Sequence, residues 1–218
     1  MFSERTALTA MQTLNRRQIT PRIKLYLSKK LNLPLVKPER VNLVINNTCN
    51  LQCVMCDLWK VQDDQVLSLD QVRKLLDEMA AWGTKFLTLT GGEPLLHPDF
   101  FRIVEEAADR GITTEVNSNA AFGEALAERI QASRLDRFNI SLDGTRPETH
   151  DAIRGRPGTF DRAVRLIQAL NRRRSSSADR PVLIITCTIM NQNLEELPGM
   201  IDFARRHLFS GVSYNTVT

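Results

Sequence analysis

Short β-rich runs alternate with longer helical ones through most of this chain, and that order limits its fold more than any other feature. "VNLVIN" (41–46) leads through a cysteine-bearing loop to "SLDQVRKLLDEMAAW", where Ser68 and Gln71 form a capping-box pattern. Val72, Leu75, Leu76 and Met79 then repeat at helical spacing. The unit recurs. "KFLTLTGG" precedes a helix expected from near Pro98, "TTEVNSN" precedes "GEALAERIQAS", and "RFNISLDG" precedes a helix from about Thr159 to Arg173. "VLIITCTIM" precedes "LEELPGMIDFARRH", despite Pro198, and a sixth strand, "GVSYNTVT", runs to the end. Six strands alternating with five helices predict an α/β chain with a parallel sheet, because parallel neighbours need a long connection and a helix supplies it. An open doubly wound sheet and a partial barrel both satisfy the pattern. In either, a ligand site lies at the C-terminal ends of the strands.

The conspicuous residues fall on that rim: three cysteines, then "TGGEP", "VNSN" and "SLDG", each just after a strand. The segment "NRRRSSSADR" (171–180) belongs to the opposite rim and reads as a solvated loop. Upstream, residues 1–40 carry nine Lys or Arg against Glu4 and Glu39, a charge of +7, so the remainder of this +4 chain stands at −3. Pro34 and Pro38 interrupt helix formation there. We therefore expect a basic helical N-terminal arm over 1–40 and a main domain over 41–218. Such an arm can touch nucleic acid, an anionic membrane surface or an acidic partner. A solvated helix face is the expectation, and nucleic acid is not. No apolar run approaches the roughly 20 residues that span a bilayer, and the N-terminus lacks the order of a secretion signal, so the expected address is the cytoplasm.

Cys49, Cys53 and Cys56 form a C-x-x-x-C-x-x-C pattern, while Cys187 lies in the apolar run "IITCTIM". This is not a disulfide framework, and metal or redox chemistry suits it better. A structural zinc site is closed by four protein ligands. Cys187, His97, His150 and His207 are the available fourth partners, and none has a recognisable finger spacing. Iron–sulfur clusters also take thiolates, usually four for a cubane. With three, one iron would stay open to a small chelating molecule.

"CNLQCVMC", with "GGEP" one strand later and "SLDG…IRG" beyond it, resembles the signature of the radical S-adenosylmethionine (radical SAM) superfamily over roughly residues 41–218. The resemblance implies a partial (β/α)6 TIM-like barrel of parallel strands with outer helices, choosing between the two sheets above. It implies that Cys49, Cys53 and Cys56 ligate a [4Fe-4S] cluster whose open iron binds S-adenosylmethionine. Reduction then cleaves the sulfonium to a 5′-deoxyadenosyl radical that takes hydrogen from a substrate, small molecule or peptide, with electrons from a donor such as flavodoxin or ferredoxin. Many members have an aromatic residue just before the third cysteine, near the adenine. Met55 stands there instead, apolar and adaptable enough for a ring contact.

The same resemblance assigns Gly91, Gly92 and Glu93 to the methionyl amine, since glycines let backbone approach a ligand closely. At "VNSN", Ser118 is the expected polar contact, with Asn117 as alternate and Asn119 suited to holding a turn. Ser141 is assigned to the ribose or carboxylate and Arg154 to the carboxylate, which a guanidinium fork grips in a bidentate way. Asp143 fits either a loop cap or a ligand contact. Trp59 and His97 are explained by loop packing and by capping the helix near Pro98. The motifs are most similar to the group containing peptide-modifying maturases, sulfatase-activating enzymes and the molybdenum-cofactor cyclase. The competing reading is a non-catalytic zinc module whose arm binds nucleic acid or a membrane surface. Because the chain stops after its sixth strand, we expect a fragment, a partial gene product or a chain that needs a partner to cover the edge.

Overall fold

The computed structural model describes residues 16–32, 36–60 and 65–216, with side chains from Ile23 onward. The first fifteen residues of the basic arm, Pro34 and the last two residues of the expected sixth strand lie outside them. Contacts divide the chain into two parts after Glu39. In the first part, α1 (Arg16–Leu31) ends with Lys29 and Lys30, where positive charge complements the carbonyl end of a helix.

The second part is one parallel sheet of β1 (Arg40–Asn46), β2 (Phe86–Gly91), β3 (Thr113–Ser118), β4 (Arg137–Ser141), β5 (Val182–Ile189) and β6 (Gly211–Thr216), in that spatial order. Parallel crossovers are right-handed, so an order that never reverses keeps every connection on one face of the sheet. A doubly wound sheet needs a reversal to place helices on both faces. Here the helices α2 (Leu69–Trp82), α3 (Phe100–Asp109), α4 (Ala127–Ala132), α5 (Pro147–Arg154), α6 (Thr159–Asn171) and α7 (Leu197–Arg206) follow the strands in turn. The fold is therefore a partial (β/α)6 barrel with outer helices.

Strand alternation separates its two faces. Leu87, Leu89, Val116, Phe138, Ile140, Leu183 and Ile185 are buried and pack in one core with Val72, Leu76, Phe100, Ile103, Leu166 and Phe203 of the helices. Side chains of opposite parity are more polar: Thr88, Glu115, Asn117, Asn139 and Ser141. Near the N-terminal strand ends, Glu115 accepts from Arg40, from Arg137 and from Thr88, so two guanidinium groups balance a largely buried carboxylate.

The capping box is present: Gln71 N–H donates to Ser68 Oγ at 3.3 Å and Ser68 N–H to Gln71 Oε1 at 2.8 Å. Other helices depart from expectation. The one expected near Pro98 starts at Phe100 after a 3-10 turn at Pro94–Leu96, and "GEALAERIQAS" divides into a 3-10 turn at Gly123–Leu126 and α4. The run "LEELPGMIDFARRH" divides likewise at Leu194–Glu196, with Pro198 tolerated in the first turn of α7. Helix α5 was not expected. Pro147 opens it and Gly155 closes it at φ +70°, the usual asymmetry of proline at the start and glycine just past the end. The 171–180 segment is mostly exposed, but Arg174 within it is buried.

Candidate active site

The cysteine loop follows β1 at the C-terminal rim, and three neighbouring segments hold it. From β2, Gly92 N–H donates to Asn46 O at 2.9 Å and Glu93 N–H to Thr48 O at 2.8 Å. A Cβ on Gly91 would stand 2.2 Å from Asn46 O, and one on Gly92 2.2 Å from Thr48 O. From β3, Asn119 Nδ2–H donates to Asn50 Oδ1 at 2.7 Å. From α5, Ile153 O accepts Val54 N–H at 3.0 Å, Arg156 donates to Asn50 O at 2.8 Å, and a Cβ on Gly155 would stand 2.0 Å from Gln52 O. The glycines of "GGEP" and "IRG" thus let neighbouring backbone press against the loop.

All four cysteines are free thiols. Cys53 is buried and packs with Leu51 and Ala121, against which Cys49 and Met55 also pack, while Cys56 is exposed. Burial pushes the Cys49 thiol up, and the charges of Glu93, Cys53 and Cys56 push it further. Burial also pushes Cys53 up, opposed by the Arg154 guanidinium, whose Nη1 lies 3.8 Å from Cys53 Sγ. Among the described residues no three His, Cys, Asp or Glu side chains are grouped as for a single metal ion. Thiolates on a cubane each meet a different iron, so a loop holding one does not gather them that tightly. Three free thiols in one loop, with a cationic donor on the middle one, fit such a group. Cys187 is buried in β5, its thiol pushed up to about 12 by burial and by Asp143, which is a core role.

Glu93 is 1 % exposed and turned toward the end of β3. Its carboxylate accepts Leu95 N–H at 3.1 Å, Asn119 N–H at 2.7 Å and the Ser118 hydroxyl. Burial pushes it up to about 7 against the pull of those bonds. In the fourth unit, buried Asp143 accepts Thr188 N–H at 2.8 Å and pairs with Arg154 Nη2 at 2.7 Å. Its own N–H donates to His150 Nδ1, and burial pushes that imidazole down to about 3, so His150 stays neutral. Asn193 donates to Asp143 O and Thr188 O, tying β4 to β5.

The sequence model of the family described as "Radical SAM superfamily" matches residues 43–204. The chain belongs to the radical SAM superfamily. An AdoMet-dependent heme synthase from Methanosarcina barkeri is 34 % identical over 72 % of this chain and 44 % of its own length. Mycofactocin maturase MftC from Mycolicibacterium smegmatis is 30 % identical over 73 % of this chain and 40 % of its own. The chain thus spans less than half of these two relatives. The crystal structure of Streptococcus suis SuiB bound to precursor peptide SuiA superposes with a TM-score of 0.74 at 19 % identity, over 94 % of this chain and 46 % of that one. This likeness shows the shared fold.

Within this radical SAM fold, the residues singled out from sequence divide by where their side chains point. Met55 packs in the cysteine loop, and Ser141 is partly exposed beside Thr186 on the inner face of the sheet. Asn117 is exposed there and accepts from Asn139 Nδ2 at 2.8 Å. Ser118, one residue on, is 2 % exposed, and its hydroxyl accepts Ala120 N–H as well as meeting Glu93. Adjacent strand residues face opposite sides, which separates Asn117 from Ser118. Asn119 holds the turn, accepting Ala121 N–H at 2.9 Å. Trp59 donates to Cys53 O, and His97 bridges Leu67 O and Asp99 N–H, so both serve loop packing and the approach to α3. Sequence reasoning passed over Asn50 and Asn193, and it took "IRG" for a cofactor contact at Arg154 without seeing that Ile153, Gly155 and Arg156, at the end of α5, clamp the cysteine loop. The proline-to-glycine span 147–155 was the signal for that helix.

Proposed function

We propose that Cys49, Cys53 and Cys56 hold a [4Fe-4S] cluster with one open iron, that the surrounding rim binds S-adenosylmethionine, and that the substrate is a peptide. One observation carries the reading: three free thiols within eight residues of one loop braced from β2, β3 and α5, with the Arg154 fork on Cys53. When bound, the cluster and S-adenosylmethionine supply one-electron cleavage of the sulfonium and a 5′-deoxyadenosyl radical that takes hydrogen from substrate. The chain's own residues position and shelter these groups. Met55 offers an apolar contact to the adenine, and backbone of Gly91, Gly92 and Glu93 offers polar groups to the amine, with the Glu93 and Ser118 side chains stiffening that turn. Asn117 and Ser141 face the open side of the sheet for the ribose and carboxylate. Arg154 Nε has no hydrogen-bond partner and is available to the carboxylate.

A peptide is supported by the complex of SuiB with its precursor peptide and by the likeness to a mycofactocin maturase. It is also supported by the amide of Asn139 on the inner face, whose groups beyond the bond to Asn117 suit backbone hydrogen bonding. The electron source would be a small donor protein such as flavodoxin or ferredoxin. Four free thiols suit a reducing compartment, and we place the activity in the cytoplasm. Among the described residues no helix is long and apolar enough to cross a membrane.

Anaerobic reconstitution tests the reading. We expect brown protein with about four iron and four sulfide per chain, and 5′-deoxyadenosine on addition of dithionite and S-adenosylmethionine. Replacing all three loop cysteines by alanine removes both. One bound zinc without sulfide, or cleavage that survives the triple replacement, refutes it.

A further inference from the structure

Arg154 is held from both sides. Its Nη2 lies 2.7 Å from Asp143 Oδ2 and its Nη1 3.8 Å from Cys53 Sγ, while Asp143 is fixed in turn by Thr188 N–H. The guanidinium side chain is 10 % exposed and the carboxylate fully buried. Backbone on either side of Arg154 meets backbone on either side of Cys53: Ile153 O takes Val54 N–H, and Gly155 lies against Gln52 O. Charges at this separation interact strongly where water is excluded.

We infer that Arg154 raises the reduction potential of the cluster through Cys53 and that Asp143 limits the size of that effect. The inference rests on the assignment of Cys53 as a cluster ligand. One-electron reduction adds negative charge that the ligating sulfurs share, and a fixed cation with an N–H toward one sulfur stabilises the reduced form more than the oxidised form. Asp143 opposes this because its buried carboxylate pairs at 2.7 Å with the same guanidinium that reaches Cys53, and so offsets part of the positive charge there. The two residues act on the potential with opposite signs. Neither touches the reacting bond in this role. Arg154 positions and polarises a ligand, and Asp143 positions Arg154.

The test is an anaerobic redox titration of the reconstituted protein with dithionite as electron source, without S-adenosylmethionine, followed by the paramagnetic resonance of the reduced cluster. R154Q is expected to lower the midpoint by at least 59 mV, a tenfold change in the oxidised-to-reduced ratio for a one-electron couple. D143N is expected to raise it. R154Q alone leaves a buried carboxylate unpaired, so the double variant R154Q/D143N, which removes both charges and leaves polar side chains at both positions, carries the test if that single variant does not fold. Its midpoint is expected below wild type and above R154Q. Midpoints of D143N and the double variant equal to wild type, at equal iron content, overturn the inference while leaving the cluster assignment intact. A wild-type protein that takes up iron and sulfide at no defined ratio overturns both.

Discussion

Replacing Gly155 by alanine isolates how much the α5 clamp contributes to the cysteine loop, and Gly83 provides the matched control. Both glycines follow a helix in the left-handed region, at φ +70° for Gly155 and +81° for Gly83. An alanine at either pays the left-handed penalty, roughly 1–2 kcal/mol. A Cβ at Gly83 meets nothing within 4 Å, whereas at Gly155 it would stand 2.0 Å from Gln52 O and 2.7 Å from Gln52 C. Backbone must therefore retreat by more than an ångström, and overpacking of that kind adds about 1–3 kcal/mol. At about 3 °C per kcal/mol for a domain of this size, Gly83→Ala should lower Tm by about 4 °C and Gly155→Ala by about 10 °C. Thermal unfolding of the cluster-free protein measures this part. Because Gln52 precedes Cys53, Gly155→Ala should also reduce the iron retained after reconstitution, while Gly83→Ala retains the wild-type amount. Equal Tm losses and equal iron in the two variants would refute the clamp.

Two further outcomes follow from the buried polar groups. Glu93 has its folded pKa raised from 4.5 to about 7, so its contribution is fully present below the lower value and is lost as pH rises through the upper one. Glu93→Gln should remove that decline, seen as the difference between variant and wild-type denaturant midpoints from pH 4.5 to 7; taking the difference cancels the opposite contribution of His150, and an unchanged pH profile counts against the assignment. Asn119→Ala removes the bond to Asn50 and the one closing its own turn, which should cost about 1–3 kcal/mol and lower iron retention, measured by urea unfolding and metal analysis; a loss under half that range with full iron would show that β3 does not brace the loop.

Much of this organisation was legible along the chain. The β2 and β4 cores repeat at period two, the capping box at Ser68 and Gln71 is local to four residues, and the cysteine spacing lies within eight. Helix α5 escaped because eight residues hold little periodicity, although its terminal proline and glycine were in view. Ser118 was the expected contact and Asn117 the alternate, yet Asn117 faces the open side. Val116 is buried in the core, and alternation from it places 117 opposite and 118 on the buried side.

The sequence by itself determined that six strands run parallel, that helices connect them, and that the three thiols, the glycines and the polar pairs share one rim, since each of these depends on residues close in the chain. Only the tertiary structure decided that Glu93 turns toward Asn119 and that Arg154 is shared by Asp143 and Cys53. Those outcomes join residues 26, 11 and 101 positions apart. Across such separations local propensity carries no information, and the choice of partner falls to burial, which makes a buried charge or N–H without a partner costly and so selects the packing that satisfies it.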